Sequence, residues 1–158
     1  MNATPKSNNN LGGIAKVWAI PSSRVEIPSQ PVKPNKYELP EGWASVSLEL
    51  LPVFQSGRFQ ESTKTETGGL YYESVVSVTL AKDQPDLQGY LQDLSERTWT
   101  ILSQDQNGLF RLTGSREYPL RSTLAKNTGA EISDLNHVRV EFSGTSPYPS
   151  VFILDPFR

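Results

Sequence analysis

Apolar positions alternate with polar ones in several separate segments of the chain, which is the pattern of half-buried β-strands. The clearest examples are residues 44–53 and 137–143, where valine, leucine or phenylalanine recurs at every second position. Residues 14–20 carry apolar side chains at both parities, so we expect that strand to be buried on at least one face. Residues 117–124 contain Pro119, which favours an edge strand because proline cannot donate to a strand ladder.

Two turns are predicted from glycine-containing pairs. Gly68-Gly69 separates the mostly polar residues 57–67 from residues 70–81, which are rich in tyrosine, valine and threonine. This arrangement predicts a long hairpin whose tip is more polar than its base. Asn107-Gly108 is the strongest short hairpin signal, because both residues tolerate a positive φ.

One helix is predicted over about residues 83–96. Asp83 suits the N-cap, and Pro85 falls in the first turn. Four residues fall at positions i, i+3, i+4 and i+7 and would form one apolar stripe along the helix: Leu87, Tyr90, Leu91 and Leu94.

These elements predict a mainly β fold, an antiparallel two-sheet sandwich or flattened barrel with one flanking α-helix. The length of 158 residues suits a single domain. We expect that domain to span residues 13–154, preceded by a flexible N-terminal arm (1–12) and followed by a short C-terminal tail (155–158).

The nearly balanced charge of the chain excludes some classes of binding partner. Fifteen basic and seventeen acidic residues give a formal net charge of −2, and the isoelectric point is about 5.4. This composition argues against nucleic-acid binding through bulk positive charge and against a polybasic membrane patch. We therefore expect neither a sequence-specific nucleic-acid partner nor a membrane partner.

Candidate chemistry is sparse in this sequence. There is no cysteine and a single histidine, His137, which falls on the polar face of a predicted strand. No phosphate-binding glycine motif occurs, and no pair of carboxylates has a recognisable catalytic spacing. We therefore predict no catalytic residue, no metal ligand and no cofactor, and we do not expect an enzyme.

Several exposed positions are candidates for an assembly interface. Trp43 follows Glu41-Gly42 at a loop end, and Tyr71 faces away from its neighbour Tyr72. Each of Trp43 and Tyr71 suits an interface anchor, a core position or a sugar-stacking platform. The interface residues that we predict lie in the long hairpin, at that loop end and in the tail: Thr65, Gly68, Gly69, Tyr71, Trp43 and Phe157.

Four segments resemble a group of small phage and prophage proteins encoded among virion structural genes. They read GGIAKVWAIP, GGLYYESVVSVTL, QDQNGLFRLTG and FSGTSPYPSVFI, and the likeness spans roughly residues 12–154. The expected architecture also resembles tail-tube, tail-terminator and neck proteins of long-tailed phages. In that group, rings of subunits are joined by a long hairpin and flexible arms, so the resemblance implies that residues 57–81 and the two termini mediate assembly.

Two functional hypotheses follow. The first is a structural protein of a phage virion, a tail-tube-like or neck component that forms rings with itself and contacts other virion proteins. Such a protein is made in the host cytoplasm and ends in the virion. The alternative is a non-catalytic carbohydrate-binding β-sandwich, which needs exposed, coplanar aromatic side chains such as Trp43 and Tyr71.

Overall fold

Nine strands and two helices make up the described part of the chain, which in this computed structural model comprises residues 12–25, 27, 37–50, 52, 56–81, 85–127, 130 and 137–157. The strands are β1 (Ile14–Pro21), β2 (Leu48–Leu50), β3 (Arg58–Glu66), β4 (Gly69–Ala81), β5 (Thr98–Asp105), β6 (Phe110–Thr113), β7 (Leu120–Asn127), β8 (His137–Ser146) and β9 (Val151–Ile153). The helices are α1 (Trp43–Val46) and α2 (Pro85–Glu96). Apart from Gly12, the predicted N-terminal arm lies outside the described residues.

Hydrogen bonds join the nine strands into one antiparallel sheet that folds into two layers. The first layer has the order β2-β1-β5-β6-β9, and the second has the order β7-β8-β4-β3. At one corner Trp99 of β5 pairs with Leu120 of β7. At another, Ile14 of β1 pairs with Gly57, the residue before β3. The predicted mainly β fold with a flanking helix is confirmed.

The two layers enclose an inner core because their facing strands alternate with period two. The first layer contributes buried apolar residues from β1, β2 and β5, and the second contributes them from β4, β7 and β8. The predicted alternation in 137–143 is confirmed, since Val138, Val140 and Phe142 are all fully buried. Helix α2 contributes Leu91 and Leu94 to the same core.

The first layer is also buried on its outer face, where an outer cluster covers β1, β5, β6 and β9. Trp18 and Ile20 of β1 point into this cluster, whereas Val17 and Ala19 point into the inner core. Burial on both faces explains why residues 14–20 are apolar at both parities. The outer cluster includes residues from two segments beside the sheet and from α1: Val25, Ile27, Tyr37, Leu39, Trp43 and Val46.

Helix α2 is held to the sheet near its C-terminal end. The indole Nε1 of Trp99 donates to the carbonyl oxygen of Leu94 at 2.9 Å, and the hydroxyl of Ser122 donates to the same oxygen. The predicted apolar stripe is wrong at Tyr90, whose side chain is 55% exposed. The predicted N-cap, Asp83, lies outside the described residues.

Two strand predictions need correction. Residues 43–46 form the single helical turn α1, and the strand that follows is β2 (Leu48–Leu50); residues 51 and 53 of the predicted strand lie outside the described residues. The turn follows Gly42, which adopts a left-handed conformation (φ 82°), and it buries the Trp43 indole in the outer cluster. The strand predicted over residues 117–124 is β7 (Leu120–Asn127), which pairs with β8 along its length and with β5 only at Leu120 and Arg121, so it forms the edge of the second layer beyond that corner. Pro119 immediately precedes β7, so its missing N–H does not interrupt the hydrogen bonds of that strand.

Candidate functional site

The β3–β4 hairpin extends beyond the strand that supports it. β8 pairs with β4 from Ala81 to Tyr72, where its partner is Ser146, whereas β3 and β4 continue pairing to Glu66 and Gly69. Residues 64–71 therefore project past the end of β8, and we call them the hairpin tip. Three residues on each strand give a projection of about 10 Å, because a strand rises by about 3.4 Å per residue.

Four predicted interface residues lie in the hairpin tip. Thr65, Gly68 and Gly69 are exposed, and Tyr71 is half-buried. The side chain of Leu70, which sequence reasoning missed, is 51% exposed. The tip thus combines a polar surface with one exposed apolar side chain.

The Tyr71 hydroxyl donates to Oε1 of Glu66 at 3.1 Å, across the turn. This hydrogen bond, together with smaller contributions from desolvation and from the charges of Glu66 and Glu73, raises the pKa of Tyr71 above its usual value of 10.0. The neutral phenol is therefore favoured at the tip.

The outer edge of β3 has alternating backbone groups that point away from β4. Ser56 Oγ accepts from the N–H of Thr79 at 3.4 Å and donates to the Thr79 carbonyl at 3.3 Å, so the Thr79 backbone faces the β3 side. In an antiparallel pair, residues that exchange hydrogen bonds alternate with residues whose N–H and C=O point away. Counting along the register from Thr79, the outward-pointing residues of β3 are Phe59, Glu61, Thr63 and Thr65. Gly57 has the same parity, and its carbonyl accepts from Ile14 of β1.

The base of the hairpin is fixed by a cation between two aromatic rings. The guanidinium carbon of Arg111 on β6 lies 4.2 Å from the ring centroid of Phe59 on β3 and 4.4 Å from that of Phe152 on β9. We call these three residues the Arg111 clamp. Burial lowers the pKa of Arg111, against the opposing charges of Glu61 and Asp105. The clamp stabilises the hairpin base against the first layer.

Glu61 makes a second connection at the hairpin base. Its Oε2 accepts from the Ser74 hydroxyl at 2.9 Å and from the backbone N–H of Ser150 at 2.9 Å. One carboxylate therefore joins β3, β4 and the chain that enters β9. A cavity of about 100 Å³ lies beside this base and is lined in part by Phe59, Asp105 and Arg111. The base is thus fixed by directed contacts, while the tip projects.

The two remaining predicted interface residues lie together in the outer cluster. Trp43 is only 7% exposed, and its indole contacts the ring of Phe157 at a centroid distance of 5.6 Å. The Phe157 ring also lies 5.2 Å from that of Trp18 and 5.9 Å from that of Phe110, yet 57% of the residue is exposed. The C-terminal tail therefore packs on its own chain and covers buried indoles.

Of the three interpretations of Trp43, its burial supports a core position. A buried indole offers little surface to a sugar or a partner, so the assembly role predicted for Trp43 receives no support from its position. The structure does not bring Trp43 and Tyr71 together into an exposed, coplanar platform, since only Tyr71 lies at the hairpin tip.

A second cavity, of about 210 Å³, lies beside Trp43 and Leu154. Within the described ranges, no three His, Cys, Asp or Glu side chains gather as a metal site would require. None of the helices in these ranges has the length and apolar character needed to cross a bilayer. His137 lies at the start of β8 and is half-buried.

No protein-family model, no curated protein and no solved structure matches this chain. The proposed function therefore depends on the sequence and the geometry of this chain. Sequence reasoning found the hairpin tip but missed the Arg111 clamp. The available signal was Phe59, an isolated aromatic residue within an otherwise polar strand.

Proposed function

We propose that this protein is a structural subunit of a phage virion, a tail-tube-like or neck component that self-assembles into rings. The observation that carries the proposal is the hairpin tip, which projects past β8 and is exposed over residues 65–70. Exposed side chains contribute little to the stability of their own subunit. A projecting segment of this kind suits contacts with a neighbouring subunit.

The fixed base of the hairpin supports the same proposal. The Arg111 clamp and the hydrogen bonds of Glu61 attach the base to the first layer. A projecting element binds with a smaller entropic cost when it is already ordered in the free subunit. The hairpin is therefore suited to act as a preformed contact.

The assignment to a virion depends on the resemblance of the four quoted segments to small phage and prophage proteins. Under this proposal the partners are other copies of the chain and other virion proteins. Residues 1–11 of the predicted N-terminal arm lie outside the described residues, and Phe157 of the tail packs on its own chain.

A concentration series tests the proposal most directly. Purified protein is examined by light scattering and sedimentation velocity, and the same fractions are imaged by negative-stain electron microscopy. We expect rings or tubes whose abundance rises with concentration. A monomer at every concentration would contradict the proposal.

A shortened hairpin tests whether the projecting tip mediates assembly. Replacing residues 65–70 by Asn-Gly joins Lys64 to Tyr71, a pair that exchanges hydrogen bonds, through a two-residue turn. We expect this variant to keep the circular dichroism of the folded monomer and to lose assembly. The matched control, Thr67→Asn, places Asn-Gly in the existing turn and keeps the full length. Assembly by the shortened variant at the wild-type concentration would refute a role for the tip.

A further inference from the structure

The outer edge of β3 has the properties of a strand-pairing surface. Within the described residues β3 has β4 as its one strand neighbour, apart from the bridge of Gly57 to Ile14. Phe59, Glu61, Thr63 and Thr65 direct their N–H and C=O groups outward along this edge. Such a row of backbone groups is a template for pairing with another strand.

The charges of β3 discriminate among the possible self-pairings. Only registers that place outward residues opposite outward residues permit an antiparallel ladder. A two-fold axis at Glu61 would put that carboxylate opposite its own copy, and an axis at Lys64 would do the same for that ammonium group. Like charges directly opposite each other destabilise a strand pair.

The register centred on Ser62 places opposite charges together instead. Ser62 is the middle residue of Arg58–Glu66, so this register uses the whole strand. It puts Arg58 of each copy opposite Glu66 of the other, and both residues are exposed. Of the outward residues, Phe59 then pairs with Thr65 and Glu61 with Thr63. Axes at Gln60 and Thr63 also avoid like-charge pairs but form no opposite-charge pair. An axis at Thr65 places Lys64 opposite Glu66 but uses only the end of the strand.

We propose that a second copy of this chain adds its β3 to the β3 edge, antiparallel and two-fold symmetric about Ser62. This inference rests on the proposed self-assembly and names one contact within it. The hydrogen bonds of the four outward residues supply the pairing, and the Arg58–Glu66 pairs fix its register. A two-fold contact uses the same surface on both subunits, so it joins only two copies, which run in opposite directions. Formation of a ring therefore requires a second, different surface.

Cross-linking tests the position of the axis. The chain contains no cysteine, so an introduced thiol has no competitor. Ser62→Cys places two thiols opposite each other across the axis, within the Cα separation that a disulfide tolerates. Gln60→Cys is the matched control, because its two copies are separated by four residues along the strand, about 13 Å. We expect mild oxidation to give a covalent dimer with Ser62→Cys and little with Gln60→Cys.

Charge reversal tests the register. We expect Arg58→Glu and Glu66→Arg each to raise the dimer dissociation constant about tenfold, because each places like charges opposite each other. The double variant restores opposite charges and should return to within about threefold of wild type. Lys64→Glu is the control, because Lys64 lies opposite the uncharged Gln60 in this register. Sedimentation equilibrium measures the constants, and circular dichroism confirms the fold of each variant.

The possible results separate this inference from the proposed function. If the wild type assembles but Ser62→Cys and Gln60→Cys cross-link equally, or neither does, the β3 pairing is overturned and self-assembly stands. The pairing is also overturned if the double charge variant is weaker than either single variant. If the wild type stays monomeric under all conditions, the proposed function and the inference fail together.

Discussion

The backbone N–H of Ile14 donates to the carbonyl oxygen of Gly57 over 3.0 Å, which joins the start of β1 to the start of β3. The two chains approach so closely here that a Cβ on Gly57 would lie 2.7 Å from the Ile14 oxygen and 2.8 Å from its Cβ. Glycine is therefore required at this corner by the lack of space.

Gly57→Ala is expected to lower the free energy of unfolding by about 1–3 kcal/mol, because the backbone at the corner must shift. Urea unfolding followed by circular dichroism measures the change. Gly68→Ala is the matched control, since a Cβ there meets no atom within 4 Å. Equal effects of the two substitutions would contradict this account of the corner.

Arg111→Met is expected to lower the free energy of unfolding by about 1–2 kcal/mol, because it removes a desolvated cation from between Phe59 and Phe152. A double-mutant cycle with Phe152→Leu measures the coupling directly. Arg97→Met is the control, because Arg97 forms an exposed ion pair with Asp93 at 3.1 Å and its loss should cost less than about 1 kcal/mol. A coupling energy of zero would show that the clamp contributes nothing.

Trp99 and Ser122 donate to one carbonyl oxygen, so their losses should not be additive. In Trp99→Phe or Ser122→Ala the Leu94 oxygen keeps one donor, whereas in the double variant it loses both. We expect the double variant to cost about 1 kcal/mol more than the sum of the single variants, because an unsatisfied buried acceptor carries the full desolvation cost. Strict additivity in urea unfolding would contradict the shared role.

Phe157→Ala is expected to expose the indoles of Trp18 and Trp43, which the Phe157 ring contacts. Tryptophan emission should shift to longer wavelength, and acrylamide quenching should increase. Leu109→Ala is a suitable control, because Leu109 is also half exposed and lies in the β5–β6 turn. Unchanged emission in Phe157→Ala would mean that the tail does not shield the outer cluster in solution.

Glu66→Gln is expected to lower the pKa of Tyr71, because it removes the charge from the carboxylate that accepts from the phenol. Since the folded pKa is raised, the contribution of this hydrogen bond is complete below pH 10 and is lost as pH rises through the folded value. NMR titration of labelled tyrosine rings, assigned with Tyr71→Phe, measures the shift. An identical Tyr71 titration in Glu66→Gln and wild type would contradict the assignment.

Local patterns were sufficient to predict much of the fold. The alternation in β8 and the Asn107-Gly108 turn depend on neighbouring residues, and Gly108 adopts the expected positive φ of 81°. Residues 44–46 were mispredicted as strand because Val46 alternates with Leu48 and Leu50, although Val46 packs in the outer cluster and the two leucines pack in the inner core. Alternation alone does not distinguish a single helical turn from a strand. Distant contacts decide between them, here the burial of Trp43 against Trp18, which alternation does not encode.

In the candidate site, too, local features were predicted from the sequence and contacts between distant residues were not. The hairpin tip was predicted because the glycine pair and the polar residues around it are local features. The turn itself is Thr67-Gly68, one residue before the predicted pair Gly68-Gly69, since Gly69 already pairs with Glu66. The Arg111 clamp was not, because Phe59, Arg111 and Phe152 come from three strands that are far apart in sequence. From the sequence alone, Arg111 would be expected to face solvent, because the local pattern does not show that the second layer covers it.

The corner at Gly57 also determines how the fold would respond to mechanical load. A pull on the hairpin tip along its length would load the β4–β8 ladder in shear, so that its many hydrogen bonds would resist together. The Gly57–Ile14 bridge would be loaded in the same direction but by one isolated hydrogen bond, so it would open first. The hairpin could therefore transmit tension into β8 while its junction with β1 yields.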